Sequence, residues 1–135
     1  MDFQDIIWAD SDVENINIEY DKATLMIWND ALGRRLKIEC TGLAGITNLC
    51  IWDDTIISSA NMYPVKARDD DFVLNLYSAY SENTDYGGRF LNQGLIELRI
   101  ELINHIAFSI YCQKIDVIEY ETKTRQGAVQ RPDDN

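Results

Sequence analysis

Histidine occurs once in this 135-residue chain and cysteine three times. No two of these residues stand at a metal-ligand spacing, so a closed tetrahedral zinc set is not expected, nor is any other metal or cofactor. Cys40, Cys50 and Cys112 are scattered, form no CxxC pair and are odd in number. They read as reduced, buried, small apolar side chains, which fits a reducing compartment. His105 reads as a hairpin-turn residue rather than a catalytic one. No serine lies in a GxSxG or comparable nucleophile motif. "TGLAGIT" lacks both the Lys-Ser/Thr ending of a phosphate loop and the third glycine of a dinucleotide fingerprint. The start "MDFQDIIWAD" has no cationic residue and no apolar run of signal-peptide length. No segment approaches the roughly 20 apolar residues that span a bilayer. The expectation is a cytoplasmic chain that is not an enzyme.

Acid is abundant. The formal net charge is −11, and residues 1–30 hold eight acids against Lys22 alone. The last fifteen residues are neutral, so residues 1–120 carry the whole imbalance. Such a field repels nucleic acid and anionic membranes and attracts a basic protein partner. It also serves solubility, and charge alone does not separate the two uses. The hydrophobic fraction of 46% is ample for one core in a chain of single-domain size. Residues 1–120 read as one globular domain. "ETKTRQGAVQRPDDN", residues 121–135, loses apolar periodicity and reads as a flexible tail.

The body reads mainly as strands. "INIEY" sets Ile16, Ile18 and Tyr20 on one face, and "DKA" then suggests a hairpin into "ATLMIW". That second run is apolar on both faces, which places it centrally in a sheet with Trp28 in the core. "RRLKIEC" alternates Leu36, Ile38 and Cys40 inward with Arg35, Lys37 and Glu39 outward, between loops marked by Gly33 and Gly42. "ITNLCIW" and "TIISSANM" read as two more strands. "LIELRIELI" favours helix by propensity but has strict period two, and periodicity decides for strand. A two-residue turn at Asn104 and His105 would pair it with "IAFSIYC", in which Ile106, Phe108, Ile110 and Cys112 are in register. "KIDVIEY" follows, across a bulge near Gln113. Only "DDDFVLNLYSAY" has helical spacing, at Val73, Leu76, Tyr77 and Tyr80, with acids at its start. The expected fold is α+β, mainly β: an antiparallel sheet or sandwich of six to eight strands with one helix near residues 70–81.

Candidate binding residues come from tryptophan beside carboxylate, since tryptophan anchors interfaces and acids steer association. Trp8 with Asp10, and Trp52 with Asp53 and Asp54, have this composition. Adjacent strand residues point to opposite faces, so Asp53 and Asp54 would not share a proton as a catalytic dyad. "CIWDDTII" reads first as a β-turn and second as part of an acidic docking surface. Asp69, Asp70 and Asp71 lack the oxygen-ligand spacing of a calcium loop. They read as a helix start, or as an extension of the docking surface.

The runs "GITNLCIWDDTIISSANMYPV" and "GGRFLNQGLIELRIELINHIAFSIYC" resemble segments of small acidic bacterial proteins, some of them similar to the immunity partners of secreted toxins. The resemblance covers residues 40–115. It implies a cytoplasmic, non-enzymatic protein that binds one toxin domain, with an acidic surface that mimics nucleic acid against a cationic nuclease. No site residue is carried over with it. The competing expectation is a structural or scaffold domain whose acidity keeps it soluble.

Overall fold

The structure is a computed structural model, and it describes residues 1–48, 54–65 and 94–121. The expected helix at residues 70–81 lies outside the described residues, as do Cys50, Trp52, Asp53, Asp69, Asp70, Asp71 and the tail after Glu121. The described chain is mainly β. A 3-10 turn at Phe3–Asp5 is followed by β1 (Asp12–Glu19), β2 (Lys22–Asn29), β3 (Arg34–Thr41), β4 (Gly45–Ile46), β5 (Ile57–Val65), β6 (Leu95–Leu102), β7 (Ala107–Cys112) and β8 (Lys114–Glu121). They form two antiparallel four-stranded sheets, ordered β1-β2-β3-β8 and β4-β7-β6-β5.

The period-two pattern places the core. On β3, Leu36, Ile38 and Cys40 are fully buried, as expected. On β6, Leu98, Ile100 and Leu102 are fully buried, and on β7 so are Phe108, Ile110 and Cys112. Each such Leu, Ile or Phe contributes roughly 1.5–3 kcal/mol relative to exposure. Cys40 and Cys112 are free thiols. A hydrogen bond to the Cys112 thiol, together with burial, pushes the Cys40 pKa far up, so the Cys40 thiol is held protonated and inert.

The sheets are joined on both sides. At one side, β3 and β8 end in the pair Thr41↔Lys114, and their continuations meet again in the other sheet as Gly45↔Tyr111. One antiparallel ribbon therefore serves both sheets, bent where Gly42 faces Gln113. Strands that switch sheets at such bends are one way a sandwich makes its corners. Gln113 N–H donates to Thr41 O at 3.0 Å, and Gly42 has φ +70°. Gln113 is thus the corner itself, the place where a bulge was expected. At the other side, β1 meets β5 in a short seam. Val13 N–H donates to Thr55 O at 2.9 Å, and Ile57 N–H donates to Ser11 O at 2.7 Å.

Three expectations are corrected. Trp28 is not core: it lies half-buried on the outer face of β2, with the Arg35 guanidinium 5.6 Å above its ring. The two apolar faces of "ATLMIW" are a buried face of Ala23, Leu25 and Ile27 and an outer one of Thr24, Met26 and Trp28. In β1 a bulge between Val13 and Asn15 resets the pattern, and Ile18 and Tyr20 stand exposed beyond the core. The β6–β7 pairing holds, but its turn is longer than two residues. His105 N–H closes on Leu102 O at 3.0 Å, and the positive φ of 71° falls on His105, not on Asn104.

Candidate docking groove beside strand β5

The N-terminal segment folds before β1 through short-range bonds. Asp2 Oδ1 accepts the Gln4 N–H at 3.2 Å and starts the 3-10 turn. Apolar residues at positions 3, 6 and 8 then turn inward, and Phe3, Ile6 and Trp8 are all buried. The Phe3 and Trp8 rings lie 4.9 Å apart, tilted by 31°. The indole Nε1–H donates to Phe3 O at 3.1 Å. A turn follows in which Ser11 N–H donates to Trp8 O at 3.1 Å and Asp10 takes a φ of 66°.

Asn29, fully buried at the end of β2, fastens this segment to the body. Its Nδ2 donates to Ile7 O at 2.9 Å and to Ser11 Oγ at 3.0 Å. Its Oδ1 accepts the Leu32 N–H at 2.9 Å. Every polar atom of the side chain is used, as burial requires. Opposite the fastened segment runs β5, and a cavity of about 380 Å³ opens between them. Phe3, Gln4, Ile6 and Trp8 line one side, and Ala60, Asn61 and Met62 line the other.

Trp8 is corrected here. Only 5% of it is exposed, so it forms the floor of the groove and is not a free surface anchor. Asp10 is exposed and Asp54 is half-buried. The seam between β1 and β5 brings Asp10, Asp12 and Asp54 onto one end of the molecule. Asp54 Oδ1 accepts the Ile56 N–H at 2.9 Å, while the Cys50–Asp53 part of the expected turn lies outside the described residues. Thr55 Oγ1 donates to Asp12 Oδ1 at 2.5 Å.

Charge is divided unevenly between the sheets. Among the described residues, every base other than Arg99 sits on the first sheet and is ion-paired there. The pairs are Lys22–Glu39 at 2.9 Å, Arg34–Glu119 at 3.0 Å, Arg35–Glu14 at 2.7 Å, Lys37–Glu39 at 3.8 Å and Lys114–Asp116 at 3.5 Å. The hydrogen bond between Lys22 and Glu39 raises the pKa of the lysine and lowers that of the glutamate. The two segments that border the groove differ. Residues 1–12 and 54–65 contain Asp2, Asp5, Asp10, Asp12 and Asp54 and not one Lys or Arg.

Sequence reasoning missed Phe3, Ile6, Ala60 and Met62 as groove residues. Their signal was the apolar i, i+3, i+5 spacing of Phe3, Ile6 and Trp8 and the wholly uncharged run Thr55 to Val65. Among the described residues no group of three His, Cys, Asp or Glu is placed to hold a metal ion, and no helix is long and apolar enough to cross a membrane. No protein-family model, curated protein or solved structure matches this chain.

Proposed function

We propose that this chain is a non-enzymatic, acidic protein-binding domain whose partner is a basic protein, and that it acts as an immunity-type inhibitor of a cationic toxin domain. One observation carries the reading: the acids of the segments beside the groove have no base among them. Five aspartates and no base lie in the segments that border the groove, whereas the bases of the first sheet are held in ion pairs. Acidity serving solubility alone, the scaffold reading, has no need of such a division. Exposed acids steer a basic partner mainly by raising its association rate, and salt screens that effect over about 8 Å at physiological ionic strength.

The test is surface-plasmon binding, over a salt series, to a basic toxin domain captured as this chain's partner. Replacing Asp10 and Asp54 by Asn slows association, most at low salt, while the dissociation rate changes little. Parental association of the double variant at every salt concentration would overturn the reading.

A further inference from the structure

We propose that the open edge of β5 accepts an extended segment of the basic partner as an added strand, with one apolar side chain of that segment seated in the cavity lined by Phe3, Ile6, Trp8 and Met62. The proposal rests on the protein-binding reading above and specifies its mode.

The hydrogen-bond parity of β6 shows which backbone groups are available. Leu102 N–H donates to Ile106 O, toward β7, and Ile103 N–H donates to Ile56 O, toward β5. Even-numbered residues of β6 therefore bond β7, and odd-numbered ones bond β5. Their partners on β5 are Ser59, Asn61, Tyr63 and Val65, opposite Glu101, Arg99, Glu97 and Leu95. The backbone groups of Ala60, Met62 and Pro64 consequently point away from the sheet. Pro64, which lacks an N–H, stands at an outward position, where no ladder bond is lost. Among the described residues no further strand pairs with this side of β5, so Ala60 and Met62 offer two N–H donors and two C=O acceptors beyond the seam, and Pro64 adds a C=O.

An edge of this kind is a template for strand addition, and proteins normally blunt it with charge, bulges or brevity. The other sheet edges are blunted. β1 carries Glu14 and Glu19 beside its bulge, β8 carries Lys114, Asp116 and Glu119, and β4 has two residues. β5 has nine residues and no charge. In strand addition the main chain supplies affinity and pockets for alternate side chains supply specificity. Ala60 and Met62 pack toward the core and line the cavity, so an inward side chain of an added strand would lie beside them. The five aspartates select the occupant. A second copy of this chain would bring the same acids face to face, whereas a basic segment meets them with opposite charge.

The probe is an N-acetylated, amidated octapeptide of alternating Lys and Thr with one central Leu. Its controls are the same peptide N-methylated at alternate backbone nitrogens, made in each of the two registers, and a version with Glu in place of Lys. Amide exchange is followed by NMR on the unmodified protein, so folding is constant throughout. In the free protein Ala60 and Met62 exchange faster than Asn61 and Tyr63. The probe, at about ten times its dissociation constant, slows both outward amides about tenfold. One of the two N-methyl registers and the Glu version give no protection, and Leu→Gly in the probe weakens binding about tenfold or more. Binding of every basic probe without protection at Ala60 and Met62 would overturn strand addition and leave the basic-partner reading standing. Absence of binding by any basic probe at low salt would overturn both. Slow exchange at both amides without probe, with a dimer in sedimentation, would assign the edge to a second copy and overturn the proposal.

Discussion

The two sheets of this molecule treat their outer strands in opposite ways. The first sheet pairs each of its bases with an acid. Arg35 spans Glu14 on β1 and the face of Trp28 on β2, Lys22 and Lys37 share Glu39, and Arg34 reaches Glu119 on β8. Both of its outer strands carry acids, and β1 is bulged besides. The second sheet ends in β5, where Ser58, Ser59, Asn61, Tyr63 and Pro64 are exposed and none is charged. Solubility does not explain the contrast, since one charge on β5 would serve it and would also protect the edge. The difference teaches that net charge says less than its placement. Acids lie in the two segments that border β5 and are left off β5 itself, so among the described residues its outer backbone carries no charge beside it.

The largest expected effect comes from the residue that holds the groove wall against this edge. Asn29→Ala removes the bonds to Ile7 O, Ser11 Oγ and the Leu32 N–H in one step. Buried groups left unsatisfied cost about 1–3 kcal/mol each, partly relieved by relaxation, so the loss should be roughly 2–4 kcal/mol. Urea unfolding followed by fluorescence measures it. If Asn29 is the fastener, Trp8 emission in the folded variant also shifts to the red as residues 3–8 loosen from β5.

A smaller effect tests the opposite side of the sandwich, where the sheets share a ribbon. Gly42 holds φ +70°, and a Cβ there would meet the Gln113 side chain. Gly42→Ala should cost about 1–3 kcal/mol, combining backbone strain with displacement of Gln113. Gly42→Ala with Gln113→Ala should recover only the part of the clash due to the amide end of the Gln113 side chain, because alanine keeps the Cβ that lies 2.8 Å away. A double-mutant cycle separates the two, and full additivity would show that the corner does not depend on this contact.

The hairpin between β6 and β7 offers a gain instead. His105 is exposed at φ 71°, in the left-handed region that costs a non-glycine residue roughly 1–2 kcal/mol. His105→Gly relieves that strain but loosens the unfolded chain, so a net stabilisation of about 0.5 kcal/mol is expected in a thermal melt.

The same hairpin shows how far the sequence could be read. Period two in "RRLKIEC", "LIELRIELI" and "IAFSIYC" identified strands and their inward faces, because burial on one side of a sheet writes itself directly into alternation. Turn detail was not legible: asparagine tolerates positive φ better than histidine does, yet the loop places its left-handed residue one position later. Trp28 failed for a related reason. A two-sided apolar run reads as doubly buried, but aliphatic stems and a guanidinium covering one face serve an apolar residue nearly as well. The groove was least legible. That Thr55 to Val65 has no charge was visible, and a charge-free strand suggests an interior place in a sheet. Only the pairing order shows that β5 is an edge among the described residues, and pairing order is a long-range property with no local signal.

The smallest expected effect concerns the ion pairs of the first sheet. The hydrogen bond from Lys22 is the leading cause of the lowered pKa of Glu39, with the charges of Lys22 and Lys37 adding to it and desolvation opposing it. A carboxylate whose folded pKa lies below its unfolded value adds stability above the unfolded pKa, about 4.3 for glutamate, and loses it as pH falls through the folded value. Both side chains reach solvent, so the contribution is screened and its size is small. The readable quantity is the titration midpoint. In Lys22→Gln the Glu39 carboxyl should titrate nearer the ordinary glutamate range than in the parent, stopping short of it because Lys37 remains 3.8 Å away. Carboxyl-carbon NMR across pH 2–6 resolves the change. A further rise in Lys22→Gln with Lys37→Gln would show the two lysines sharing one acid. An unmoved midpoint in both variants would mean that these bases are not committed to Glu39, and the contrast between a first sheet whose bases are ion-paired and a groove bordered by acids without bases would lose its first half.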